Sequence, residues 1–155
     1  MTQTAPDLAS RYIARGMRNP QLIEAALAIN EDRLADAEPL LRAHLRQDPL
    51  DVAAIRLMAQ LAARLGRFKD SEALLRRAIE LAPDFTAARS NLAGILYRQN
   101  RFEETVEMLG TVLEVDADDA SGQSLMAAAL GRIGEYDEAL ALYGALTDRF
   151  PTHAK

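Results

Sequence analysis

The stretch Gly66–Asn100, GRFKDSEALLRRAIELAPDFTAARSNLAGILYRQN, decides the fold. It opens on Gly66-Arg67-Phe68 and runs through apolar residues at helical spacing, Leu74, Leu75, Ala78 and Ile79, to Leu81-Ala82-Pro83-Asp84. A second helical pattern then runs to Asn100, and Arg101-Phe102 starts the first pattern again. Proline at 83 cannot continue a helix, and Gly66 and Asn100 tolerate the left-handed backbone on which helices end. One such block cannot bury both of its helices, so it makes sense only as a unit in a stack.

Working outward, the same signals return at a fixed step. Pro49, Pro83, Ala117 and Pro151 are evenly spaced. The residue that opens each second helix keeps the same step as Leu34, Phe68, Phe102 and Tyr136. Small residues do so in both helices, as Ala25, Ala59, Ala93 and Ala127 and as Ala37, Ser71, Thr105 and Ala139. The layout is therefore four repeats, 18–51, 52–85, 86–119 and 120–153, each with a helix A and a helix B. The turn between A and B falls on Gly66, Asn100 and Gly134, with Asp32 in the first copy, where the turn signal is weakest. The small columns are expected where A and B cross, since alanine lets backbones approach to the near edge of the roughly 8–10 Å interaxial range. The aromatic column is expected to fill the gap between one pair and the next. Residues 1–17 stand outside the register; Leu8, Tyr12, Ile13 and Met17 form a stripe that reads as a short helix capping the first repeat.

This pattern resembles the tetratricopeptide repeat, whose unit is about 34 residues long. The third copy carries it as Asn91-Leu92-Ala93, Tyr97-Arg98-Gln99, Phe102-Glu103-Glu104, Leu109 and Val112. The fourth carries Met126-Ala127, Gly134-Glu135-Tyr136-Asp137-Glu138-Ala139, Tyr143 and Pro151. The resemblance implies an all-α, right-handed superhelical solenoid of antiparallel helix pairs. A narrower resemblance is to the repeat segment of bacterial proteins that fuse such repeats to a sulfotransferase domain. It rests on Leu40-Leu41-Arg42-Ala43-His44-Leu45, Leu81-Ala82-Pro83-Asp84-Phe85 and Tyr97-Arg98-Gln99-Asn100-Arg101. That likeness implies a parent protein in which more chain would follow Lys155, and no activity for this chain.

Chemistry is not what the residues offer. There is no cysteine, and the two histidines, His44 and His153, belong to no metal-ligand spacing. His44 is expected in an interhelical seam. Paired carboxylates such as Glu103-Glu104 and Asp137-Glu138 fall at helix starts, where they complement the dipole. Neither a catalytic residue, a metal site nor a cofactor is expected. Residues 1–102 hold 15 Lys/Arg against 12 Asp/Glu, whereas 103–155 hold 3 against 11. So acidic a second half argues against nucleic acid. No apolar run approaches the roughly 20 residues of a membrane helix, and the start lacks a secretory signal, so a cytoplasmic protein is expected.

Binding of a protein or peptide is the expected function. In the family resembled, helix A lines the concave groove. By repeat position that places Arg56, Gln60 and Arg64, then Asn91, Gly94, Tyr97 and Arg98, then Ser124 and Arg132 along it. Small residues would let a peptide approach the backbone, and the arginine forks would suit an acidic segment. Arg56, Gln60 and Asn91 resemble part of the family's carboxylate clamp, but Ser121 and Leu125 stand where its third part belongs. The last helix, with Leu140, Tyr143, Leu146 and Phe150, lacks a cover in this sequence. Further chain in a parent, or a second copy in a homo-oligomer, is expected there.

Overall fold

The structure, a computed structural model, describes residues 18–150; the expected cap at 1–17, Pro151 and His153 lie outside them. Among the described residues there are eight α-helices: α1 (Pro20–Asn30), α2 (Leu34–Gln47), α3 (Val52–Arg64), α4 (Phe68–Leu81), α5 (Thr86–Arg98), α6 (Phe102–Val115), α7 (Ala120–Ile133) and α8 (Tyr136–Arg149). The starts of α2, α4, α6 and α8 advance by one constant step, and those of α3, α5 and α7 by the same step. The chain forms two compact units, one ending at Asn91 and one beginning at Leu92, so the boundary falls within α5.

Each A-to-B turn is built the same way. Asp32, Gly66, Asn100 and Gly134 all take positive φ, of 60°, 75°, 60° and 92°. The next amide then reaches back to close the helix end: Arg33 to Ala28 at 2.7 Å, Arg67 to Ala62 at 2.8 Å, Arg101 to Leu96 and Glu135 to Leu130 at 3.0 Å. This is the 6→1 bond of a helix C-terminus ending on a left-handed residue. Asp32 thus forms the same turn as the glycines. Its short polar side chain makes that conformation accessible, as it does for Asn100.

In the first unit α1 packs on α2, α3 on α4, and α3 also on α1 and α2. Leu22, Ala25, Ala28 and Ile29 of α1, Ala37 and Leu41 of α2, and Ala54, Leu57 and Leu61 of α3 form one buried cluster. The small columns lie where the sequence places them: Ala25, Ala59, Ala93 and Ala127 are 0% exposed, and none of Ala37, Ser71, Thr105 or Ala139 exceeds 5%. In the second repeat the two columns touch directly, because the Ser71 hydroxyl donates to the Ala59 carbonyl at 2.8 Å. That buried bond contributes on the order of 1 kcal/mol. α2 also runs through Pro39, a residue without an amide to donate to the preceding turn.

In the second unit α7 packs on both α6 and α8. The aromatic column behaves differently along the chain. Phe68 and Phe102 are half-buried, but Tyr136 is 66% exposed, against the expectation that each fills a gap between pairs. Phe102 explains the difference. It meets Tyr97 edge-on with ring centroids 5.2 Å apart, and the Arg132 guanidinium lies 4.8 Å from its ring centre. Its cover comes from the A helix before it and the A helix after it. No described helix follows α8 to do this for Tyr136.

Candidate peptide-binding face

The A helices of the repeats, α3, α5 and α7, present polar and small side chains at i, i+4 and i+8, which puts them on one stripe of each helix. Side-chain caps fix the starts of α3 and α7. Asp51 accepts from the Ala53 and Ala54 amides at 3.0 and 3.3 Å, and Asp119 accepts from Ser121 at 3.1 Å. Gly122 leaves room for the second cap: a Cβ there would lie 2.6 Å from the Asp119 carboxylate, so a larger residue would have to shift that side chain.

In the first unit the stripe holds Arg56, Gln60 and Arg64 on α3 and Asn91 on α5. Arg56 is half-buried with its guanidinium 5.9 Å from the centre of the Phe85 ring, and its buried Nε has no hydrogen-bond partner. Burial holds its pKa below the usual arginine value. A desolvated cation without an anion is a costly arrangement, and an incoming carboxylate that paired with it would relieve part of that cost. Gln60 and Asn91 are half-buried on the same stripes. Arg64 differs, for its fork is held by Asp32 in the preceding turn at 2.8 Å.

In the second unit Tyr97, Ala120, Ser121, Ser124, Leu125 and Ala128 line a cleft of about 500 Å³. Its lining combines two serine hydroxyls and a phenol with alanine and leucine side chains. Gly94 is open, since a Cβ there would meet nothing within 4 Å. Ser124 and Arg98 are exposed. Arg132, expected as a donor, stacks on Phe102 and so has one face occupied. The structure therefore gathers Tyr97 and Ser124 into one concavity. It commits Arg64 and Arg132 to intramolecular contacts.

One polar network went unread in the sequence. His44 of α2 is buried, and its Nε2 lies 2.7 Å from the Asp51 carboxylate while its Nδ1 lies 3.3 Å from the Asn19 amide nitrogen. Asn19 caps α1 by accepting from Gln21 at 2.9 Å through its Oδ1, so its NH₂ faces the ring. With a neutral ring, Nε2–H donates to Asp51 and Nδ1 accepts from Asn19. His44 thereby ties together the N-caps of α1 and α3. With Asp48 it also forms the one group among the described residues whose His and carboxylate ligand atoms lie within 4.8 Å of one another. The caps account for the arrangement: both nitrogens of the ring and both oxygens of Asp51 already have partners. The clue lay in Asn19 and Asp51, two cap-forming residues standing just before apolar runs.

Helix hairpins at a constant step, joined by left-handed turns over a small-residue seam, define a helical repeat protein. The chain belongs to the tetratricopeptide repeat family, whose models match residues 28–84, 62–129 and 122–153. A search of curated proteins returns no match. Among solved structures the chain is similar to MamA from Desulfovibrio magneticus RS-1, at 16% identity over 96% of this chain and 78% of that one, with a TM-score of 0.74. It is similar to YrrB, described as a TPR protein with an unusual peptide-binding site, at 18% identity, 96% and 78% coverage and a TM-score of 0.74. It is also similar to an O-GlcNAc transferase from Thermobaculum terrenum, at 23% identity and a TM-score of 0.78, over 96% of this chain and 28% of the transferase. These are likenesses of fold. No helix among the described residues is long and apolar enough to cross a membrane.

Proposed function

We propose that the chain is a protein-interaction scaffold that binds a peptide on the A-helix faces of its repeats, bounded at 18–51, 52–85, 86–119 and 120–153. The observation that carries this reading is the cleft lined by Tyr97, Ser121, Ser124 and Leu125, which combines apolar side chains with hydroxyls able to meet a peptide backbone. It is suited to an apolar side chain with its amide. The half-buried Arg56 in the first unit supports a separate preference for an acidic group there. The second unit supports no such preference, because residues 92–150 carry 4 Lys/Arg against 11 Asp/Glu. Asn91, Gly94 and Arg98 complete the proposed faces. No chemistry is assigned to them.

The test is selection of peptides from a displayed random library, followed by affinity measurement on variants. Ser124→Trp fills the cleft at an exposed position and should weaken cleft-bound peptides at least about tenfold, or 1.4 kcal/mol. Arg56→Met should weaken only peptides that carry a carboxylate at the anchor, while leaving the fold as stable as before or more so. Peptides that bind both variants unchanged would refute the A-helix assignment.

A second reading makes the chain the non-catalytic arm of a larger enzyme, positioning a polypeptide substrate or organising oligomers. The transferase likeness supports it, because there the matched part is 28% of an enzyme chain. The residue-level resemblance points to a sulfotransferase. The coding sequence beyond Lys155 decides: a sulfotransferase domain there supports this reading, and a stop codon removes it.

A further inference from the structure

α1 turns an apolar face to solvent. Ile23 and Leu27 stand at i and i+4 and are 42% and 51% exposed, with Pro20 exposed one turn earlier. The position of Leu27 is closed in every later A helix: Leu61 is 1% exposed, Ile95 6% and Ala129 0%. Two of those helices pack on the B helix that precedes them, α3 on α2 and α7 on α6. No described helix precedes α1, and residues 1–17 stand in the sequence where that cover belongs.

We propose that residues 5–15 are this cover, a helix folded back on Ile23 and Leu27 of its own chain. Connection length sets where it ends. Each described B helix but the last reaches the next A helix through four residues, 48–51, 82–85 and 116–119. The same four counted back from Pro20 are 16–19, and they close on Asn19, which caps α1 as Asp51 caps α3 and Asp119 caps α7. The segment before them opens on Pro6 and Asp7, residues suited to the first turn of a helix. At about 100° per residue, Leu8, Tyr12 and Ile13 fall on one arc, with Arg11 and Arg15 along one flank of it. The charged residues from 20 to 31 are Glu24 and Glu31, both exposed and on one flank of the Ile23–Leu27 stripe. Arg33 already answers Glu31 at 2.7 Å, so Glu24 is the carboxylate set for Arg11 or Arg15. Tethering favours this occupant over a separate partner, since a short connection holds the segment at an effective concentration on the order of millimolar.

The chain has no cysteine, so a nitroxide on Thr4→Cys labels a single site just before the segment. Paramagnetic broadening of amide signals in the 155-residue chain then reports where that end lies. An antiparallel cover carries the label toward the far end of α1, so Leu27 and Asn30 should be broadened more than Gln21. A tail that does not fold back gives the reverse order, with Gln21 broadened most, and overturns the proposal. Broadening centred on Gln60 and Asn91 would put the segment on the A-helix face and overturns it too. Leu27→Glu, at an exposed position, should abolish the far-end broadening and speed amide exchange at Tyr12 and Ile13 at least about tenfold. Tyr12→Glu should abolish the same broadening from the other side of the contact. Circular dichroism and thermal melts check that both variants fold. Far-end broadening that survives both substitutions refutes the contact.

Discussion

α4 and α8 are the same helix of the repeat in two settings. In α4, Ser71 and Leu75 are 1% exposed, Ala78 is 0% exposed and Phe68 is half-buried. At the matching positions of α8, Ala139 remains at 5%, but Tyr143 rises to 42%, Leu146 is half-buried and Tyr136 reaches 66%. The turns before them are alike, on Gly66 and Gly134, but the Leu75 and Ile79 positions of the apolar stripe of α4 are taken in α8 by Tyr143 and Thr147, so burial in this repeat follows both the stripe and the neighbours that cover it. The position that α8 shares with α4, the small residue against its own A helix, is the one that stays buried. Stability in such an array belongs to interfaces between successive helices, and no single helix owns it.

The contrast can be broken at the position of Leu41, Leu75, Leu109 and Tyr143, which recurs once in every repeat. Leu75→Ala should cost about 2–5 kcal/mol by leaving a cavity, whereas Tyr143→Ala should cost less than about 1 kcal/mol. Urea unfolding of both variants checks this. Equal losses would show that α8 is covered in the isolated chain.

The next effect is expected at His44, whose counterpart in α8 is Leu146. His44→Ala strips partners from the caps of α1 and α3 and should cost about 2–3 kcal/mol, against about 1 kcal/mol for Leu146→Ala. Hydrogen exchange would sharpen the distinction. Faster exchange in the first turns of α1 and α3 is expected for His44→Ala and not for Leu146→Ala.

A smaller effect separates turn from packing. Gly134 has φ of 92° and open space where a Cβ would stand, so the cost of substitution lies in the backbone alone. Gly134→Val should lose about 1–2 kcal/mol, and Gly134→Asn much less, because Asn100 already holds the same turn at φ of 60°. Thermal melts of the two variants test it.

The fold was legible because its signals are local and repeated. Proline and left-handed residues mark the ends of helices, and the alanine columns mark the seam. One constant step ties these signals together. Asp32 was the doubtful turn, and it forms because aspartate shares asparagine's tolerance of positive φ. The candidate site was less legible, since repeat position gives the face of a residue but not its partners. Arg64 and Arg132 lie on the expected helices. Asp32 holds one and Phe102 the other, through contacts nearly a full repeat away in sequence that spacing alone does not reveal. The network of Asn19, His44 and Asp51 was missed for the same reason, as Asn19 and His44 stand on different helices of the first repeat.

The most direct test of the account is amide chemical-shift mapping with a peptide selected on this chain. Binding on the A-helix faces predicts shifts concentrated at Tyr97, Ser121, Ser124 and Ala128 for cleft binders, and at Arg56 and Gln60 for acidic ones. Shifts confined to the B-helix side, at Arg42, Arg46 and Leu65, would contradict it.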